Sequence, residues 1–294
     1  MSSSPGRSWS RKLNYSMEDL PEALLTEILN MITRTSDLNS LSLVSKQLYK
    51  IEGNQRGAIR VGSGLCTATK ALTSLCARFP NLQKVEIDYS GWIPGHGKQL
   101  DNKGISVFSS QCSSMIDLTL SFCSYIDDSG LGCLANCRKL VSLRLNSTPQ
   151  ITSIGLFSVA VGCTSLSALH LIGCDEIDNV EWLEYLGRDG SLEELVVKNC
   201  KGINHHDFIK FGSGWMKLQK FEFEGKRGRY DCITRDVVYG SSYDAHGMDL
   251  YDFCCESLKD LRLARIETWP DTTRKMPTNG APNLAINGAS VVRH

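Results

Sequence analysis

The sequence lacks several features that would each have assigned a broad class. No apolar run approaches the ~18–20 residues needed to span a bilayer, so no transmembrane segment and no membrane partner are expected. No charge of one sign predominates: 32 Lys and Arg offset 32 Asp and Glu, which leaves no electrostatic footprint for nucleic acid. The opening residues, Met1 to Lys12, are polar and mildly basic with no apolar stretch behind them. They do not read as a secretory signal, and the expected location is cytoplasm or nucleus. Catalytic signatures are absent too. Gly62-Ser-Gly64 lacks the remaining glycines and the lysine of a phosphate loop, and no Gly-x-Ser-x-Gly elbow occurs. Neither an active site nor a cofactor is expected.

Cysteine is plentiful, at twelve residues, but without export this does not imply disulfides. His205-His206-Asp207 is a candidate metal triplet. Adjacent histidines point in different directions and no acid or thiol cluster is assigned beside them, so the triplet reads as a loop and no metal is expected.

What is present is a repeat. Leu-x-x-Leu-x-Leu or a close variant occurs at Leu82/Val85/Ile87, Met115/Leu118/Leu120, Leu140/Leu143/Leu145, Leu166/Leu169/Leu171, Leu192/Leu195/Val197, Leu218/Phe221/Phe223 and Leu258/Leu261/Leu263. Successive starts lie 33, 25, 26, 26, 26 and 40 residues apart, and the four central spacings fall in the leucine-rich-repeat range. Alternating apolar residues put one face of a short strand inward, and stacking such units into a parallel sheet is the only way to bury it. Asp101-Asn-Lys-Gly-Ile105, Ile126-Asp-Asp-Ser-Gly-Leu131 and Ile151-Thr-Ser-Ile-Gly-Leu156 each lead into a short helical stretch. The predicted fold is α/β, with strands on a concave face and helices on a convex one.

Cysteines follow the register. Cys112, Cys137 and Cys163 lie three residues before the first apolar strand position, and Cys123, Cys174 and Cys200 lie eight after it. Equivalent interior positions one repeat apart suit stacking of small buried side chains better than tetrahedral metal binding. The pattern resembles the cysteine-containing leucine-rich repeats of many F-box proteins. Inserts interrupt it around 90–98 and 226–247, and 267–294 carries no repeat and reads as an unstructured tail, as does 1–17.

Before the repeats, residues 18–60 read as a helical module. Pro21 suits a first helical turn, and Leu24, Leu25, Ile28, Leu29 and Ile32 form a wide apolar stripe behind it. Asp37 is a plausible cap for a second helix bearing Leu38, Leu41, Leu43, Val44 and Leu48, with Gly53 at its end. Periodicity alone fits a cap closing the repeats. Leu20-Pro21-Glu22, Ile28-Leu29 and Leu41-Ser-Leu-Val-Ser-Lys-Gln-Leu-Tyr49 go further and resemble the F-box consensus, with Tyr49 where tryptophan is common and Ser45 where cysteine is common. The resemblance is to plant F-box/leucine-rich-repeat proteins. Ser36 to Lys46, through Arg60-Val61, is also similar to the auxin and jasmonate receptors, although those carry many more repeats.

That resemblance implies docking on a Skp1-type adaptor, and through it on a cullin, by Leu20, Pro21, Leu24, Leu25, Ile28, Leu29, Leu41, Val44, Leu48 and Tyr49. The repeats, about seven over 61–266, are then expected to recruit a protein substrate. On the concave face Ala168, Ile172 and Val196 form an apolar spot around His170, rimmed by Arg144, Glu194 and Lys198, and this is the expected substrate site. Two alternatives stand beside the ubiquitin-ligase adaptor. One is a shortened regulatory form that holds Skp1 without binding substrate, suggested by the missing cap after Ile266. The other is a repeat scaffold outside any ligase.

Overall fold

The structure, a computed structural model, describes residues 19–62, 68–93, 98–188, 190–204, 207–208, 217–226, 257–264 and 285–286. The chain divides into two compact units, residues 1–56 with 78–80 and residues 57–77 with 81–294. Residues 1–17, the 267–294 stretch apart from 285–286, residues 94–97 of the first insert, 227–247 of the second, and His205 and His206 lie outside the described residues.

The first unit holds three helices, α1 (Glu22–Asn30), α2 (Thr35–Ser42) and α3 (Lys46–Gln55). Pro21 caps α1 instead of opening its first turn: its ψ is 143°, and its carbonyl accepts from the amides of Leu24 and Leu25. The single helix expected after Asp37 is in fact two. Ser45 adopts an extended backbone and its hydroxyl accepts from Leu48 N at 3.2 Å, so the chain turns at Leu43-Val44 and restarts. Arg34 holds the cap position of α2, and Asp37 sits in its first turn, where a negative charge favours the helix. Gly53 does not end α3 but lies buried inside it, where a Cβ would stand 3.0 Å from the Arg78 carbonyl oxygen. Leu25, Leu29, Leu48 and Ile51 form the core, with Leu20, Ile32, Leu38 and Leu41 packed against it.

The second unit is built on a parallel sheet whose nine described strands pair in chain order. All seven expected segments form strands: β2 (Lys84–Asp88), β3 (Asp117–Ser121), β4 (Ser142–Asn146), β5 (Ala168–Ile172), β6 (Glu194–Lys198), β7 (Lys220–Glu224) and β8 (Asp260–Ala264). Each pairs in phase, so that Leu118, Leu143, Leu169, Leu195, Phe221 and Leu261 form one buried row. Two strands lie outside the pattern. β1 (Ala58–Val61) pairs with β2, so a module boundary at 60 falls inside a strand. β9 (Ala285–Ile286) pairs with β8 and corrects the expectation that nothing after Ile266 continues the sheet.

Helices α4 (Ala68–Arg78, its residues 68–77 in this unit), α5 (Asn102–Gln111), α6 (Asp128–Gly132) and α7 (Ser153–Gly162) alternate with strands, giving the expected α/β leucine-rich-repeat solenoid. Side chains at the helix starts bind each repeat to the next. Asn102 Oδ1 accepts from Asp127 N at 3.1 Å, Asp128 Oδ1 from Thr152 N at 2.8 Å, and Ser153 Oγ from Asn179 N at 3.0 Å. Glycine is required where these approach: a Cβ on Gly130 would stand 2.3 Å from Asn102 Oδ1, and one on Gly155 2.5 Å from Asp128 Oδ1. The six register cysteines are all buried, with Thr148 completing the row Cys123, Thr148, Cys174, Cys200. Burial pushes the Cys123 and Cys163 thiols up to about 12, which keeps them protonated.

The residue after each of four strands turns left-handed: Phe122 (φ 57°), Ser147 (50°), Gly173 (64°) and Asn199 (53°). Their amides donate to Asn146, Ile172, Lys198 and Glu224 carbonyls, so each turn carries the ladder one step beyond the strand.

The division between core and surface gives a first prediction. Leu145→Ala, in the buried row of β4, should cost roughly 2–5 kcal/mol in urea unfolding. Leu43→Ala, at 84% exposure, should stay within about 0.5 kcal/mol. Equal effects would mean that the burial pattern does not govern stability.

Candidate functional site

In the helical unit the expected docking residues separate into two sets. Leu25, Leu29 and Leu48 are almost fully buried and hold the three helices together, so they are corrected from contact residues to core. Leu20 and Leu41 are half-buried against that core. Leu24, Ile28, Val44 and Tyr49 remain exposed, as does Pro21. Two residues outside the expected docking set join them, Met31 at 81% exposure, which lies off the apolar stripe, and Leu43 at 84%, expected only as part of the second helix's apolar face. Leu24 and Ile28 on α1 and Met31 at its C-terminal cap follow one another at helical spacing, while Leu43 and Val44 stand out because the helix breaks there.

Tyr49 has an intramolecular partner. The Arg78 guanidinium lies 4.2 Å from its ring centroid and also donates to Glu52 Oε2 at 2.9 Å. Glu52, with 2% side-chain exposure, is held on its other oxygen by Arg56 at 2.5 Å. A carboxylate this deep needs both cations, since breaking a buried pair strands a charge. Sequence reasoning passed over it because Glu52 and Arg78 are distant along the chain.

In the repeat unit, the residues between the buried strand positions face the concave side and are tied together across strands. Arg60 Nη2 reaches Asp88 Oδ2 at 2.5 Å, Lys84 reaches Asp117 at 3.2 Å, Lys220 reaches Glu194 at 2.5 Å and Lys198 reaches Glu222 at 2.7 Å. Arg144 is the most loosely held of the described concave cations, 3.9 Å from Asp117. The expected apolar spot is therefore corrected. Val196 is buried, between His170 and Glu222 in the lateral register, and Ala168 and Ile172 are half-buried. The centre of this face is a charged network through His170, Glu194 and Lys220.

His170 Nε2 stands 3.1 Å from Glu194 Oε1, although not in hydrogen-bonding geometry. Burial lowers its pKa, the Glu194 charge opposes that, and Arg144 and Lys220 add to it, leaving the imidazole below its usual 6.5. Burial alone would raise the Glu194 carboxyl, but the Lys220 hydrogen bond and the His170 charge hold it below the carboxylate range. At neutral pH the network is a neutral imidazole beside an ionised glutamate–lysine pair.

Among the described residues no His, Cys, Asp or Glu group is arranged to hold a metal ion. Asp207 accepts from Asn204 N at 2.8 Å. No described helix is long and apolar enough to cross a membrane.

The His170 shift has a testable sign. An unfolded chain takes up a proton near pH 6.5 while folded His170 does not, so stability declines from 6.5 down through the lower folded value and levels off below it. Urea midpoints measured from about pH 7.5 to 5 should fall less steeply for His170→Gln than for the wild type. Equal slopes would mean that His170 is solvated.

No known family model matches this sequence. Two curated proteins of Arabidopsis thaliana are distantly similar to it. GRR1-like protein 1 is 24% identical over 172 residues, covering 56% of this chain and 29% of its own length. F-box protein MAX2 is 24% identical over 162 residues, covering 52% of this chain and 21% of its own length. The matched stretches thus span less than a third of either relative. Among solved structures, internalin C2 of Listeria monocytogenes aligns over 78% of this chain and 91% of its own, with 16% identity and a TM-score of 0.43. The chain has a leucine-rich-repeat architecture and a distant sequence similarity to an F-box protein.

Proposed function

We propose that the chain is a substrate-recruiting adaptor of an SCF-type ubiquitin ligase, its helical unit docking a Skp1-type protein and its repeats binding a protein substrate. The observation that carries this reading is the outer surface of the helical unit. Leu24, Ile28, Met31, Leu43 and Val44 are all exposed on a module whose inner leucines already supply its core. Helices that served only to cap a repeat stack would present a polar outer face. Five large apolar side chains in one small module instead suit a partner that buries them, each contributing about 1.5–3 kcal/mol before ordering costs are subtracted. The F-box wording of residues 20–49 and the distant similarity to F-box protein MAX2 point the same way.

In this reading the chain performs no catalysis; ubiquitin transfer belongs to partner subunits reached through a cullin, in the cytoplasm or nucleus. Docking then belongs to the unit of residues 1–56 with 78–80, and substrate binding to the unit that holds β1 to β9. A shortened, substrate-incompetent form has less support, because the uncapped last strand that suggested it is paired by β9. The concave network of Arg144, His170, Glu194 and Lys198 remains a candidate contact, recognising charge and hydrogen-bonding groups.

Co-purification with a Skp1-type protein tests docking. The variant must avoid Leu29, whose burial would turn a binding test into an unfolding test. The full chain should be retained, and Ile28→Asp with Val44→Asp should lose at least about tenfold in retention with an unchanged circular-dichroism melt. Undiminished retention of the double variant, or none of the wild type, overturns the docking role.

A further inference from the structure

The strand ends of β3 to β6 follow one backbone rule with one discordant side chain. All four chain exits are left-handed; Gly173 and Asn199 are residue types that tolerate this, and Ser147 is at least small. The fourth is Phe122, at φ 57°. A bulky residue is rare in that region because its Cβ crowds the backbone, and strain of this kind is retained where surrounding structure or function requires it. The ladder accounts for the backbone, since Phe122 N donates to the Asn146 carbonyl as its counterparts do, but not for an aromatic side chain that is 45% exposed. Three residues on, Tyr125 is 55% exposed. The register sets Tyr89, buried at the end of β2, beside Phe122, and one tight turn beyond Tyr89 stands Ile93, 60% exposed.

This edge is held in place. Ser124 N donates to Gln99 Oε1 at 2.9 Å and Asp127 N to Asn102 Oδ1 at 3.1 Å, so the loop between the two aromatics and α6 is tied to the preceding repeat. Its charge is predominantly negative. Residues 122–128, 147–153, 173–179 and 199–204, which leave β3 to β6, contain Asp127, Asp128, Asp175, Glu176 and Asp178 against a single cation, Lys201. Lys226 reaches Asp175 from a later repeat and offsets one of the five. The Asn102 side chain and the amides of Ser129 and Gly130 keep the Asp127 carboxyl below the usual carboxylate range.

We propose that Phe122 and Tyr125 form a pre-organised aromatic anchor site at the strand-end edge of the repeat sheet, for a protein segment bearing an apolar side chain flanked by lysine or arginine. The aromatic faces supply rigid contact area at little conformational cost, and the surplus of carboxylates selects the flanking charge and rejects an acidic segment. The inference deepens the reading of the repeats as the substrate-binding element. It does not depend on the helical unit.

The test uses the full chain and two labelled synthetic peptides, a central Leu-Trp pair flanked either by lysines or by glutamates, read by fluorescence anisotropy. The lysine peptide should bind at least about tenfold tighter than the glutamate peptide, and more weakly as salt is added. Phe122→Asn should reduce lysine-peptide binding at least about tenfold. The same variant should raise the melting temperature by about 2–4 °C, because asparagine tolerates the left-handed backbone. Phe157→Ser, which removes another exposed aromatic on α7, should leave peptide binding unchanged. No saturable binding up to about 1 mM, equal affinity for both peptides, or full binding by Phe122→Asn overturns the proposal. So does a fall in its melting temperature, which would make Phe122 a packing residue. Co-purification of each variant with a Skp1-type protein separates the two ideas: if it persists while peptide discrimination fails, only the anchor site is lost.

Discussion

Each strand of the repeat sheet is at most five residues long and can satisfy its backbone only through the strands of the neighbouring repeats. That lateral pairing is the constraint from which the rest follows. It fixes the register of every strand, and the register decides which side chains form the buried rows and which stand on the concave face. A slip of one residue in any repeat would bring Lys220 or Arg144 into the core. The four left-handed exits after β3 to β6 extend the same ladder by one more hydrogen bond each.

The helix side of the repeats obeys a second demand, that neighbouring repeats lie close enough for a strand spacing of about 4.8 Å to be kept. Glycine at 130 and 155 clears room for Asn102 and Asp128, whose oxygens then accept the amides of the next repeat. Small buried thiols and Thr148 fill the interior where larger side chains would force the repeats apart. The concave face is left with charges that pair across strands, so a partner binding there must compete with existing ion pairs. The strand-end edge, by contrast, carries two exposed aromatics and more carboxylates than cations.

In the helical unit the same short helices serve two purposes. One face of α1 and α3 supplies Leu25, Leu29, Leu48 and Ile51 to the core, and the adjoining side of α1 presents Leu24 and Ile28, with Met31 just beyond its end. A stripe this wide reads from sequence as one apolar surface. Only packing separates the residues that hold the helices from those free to meet a partner, and the position of Leu29 on the inner side changes which substitutions test binding.

The sequence by itself determined the repeat, the seven strands that carry its signature, the alternation with helices and the interior place of the cysteines, because each depends on local periodicity and spacing. It did not reveal β1 or β9, which lack the Leu-x-x-Leu-x-Leu pattern and are strands only because a neighbouring edge offers hydrogen bonds. Nor did it reveal the break at Ser45, where a side-chain cap competes with a helical pattern that runs straight through. Tertiary structure alone decided that His170, Glu194 and Lys220 form one network, since lateral register brings together residues about a repeat apart. It also decided that Val196 is covered and that Phe122 is exposed. Both depend on what the neighbouring repeats set beside each side chain, and a linear pattern of apolar and polar residues carries no information about lateral neighbours.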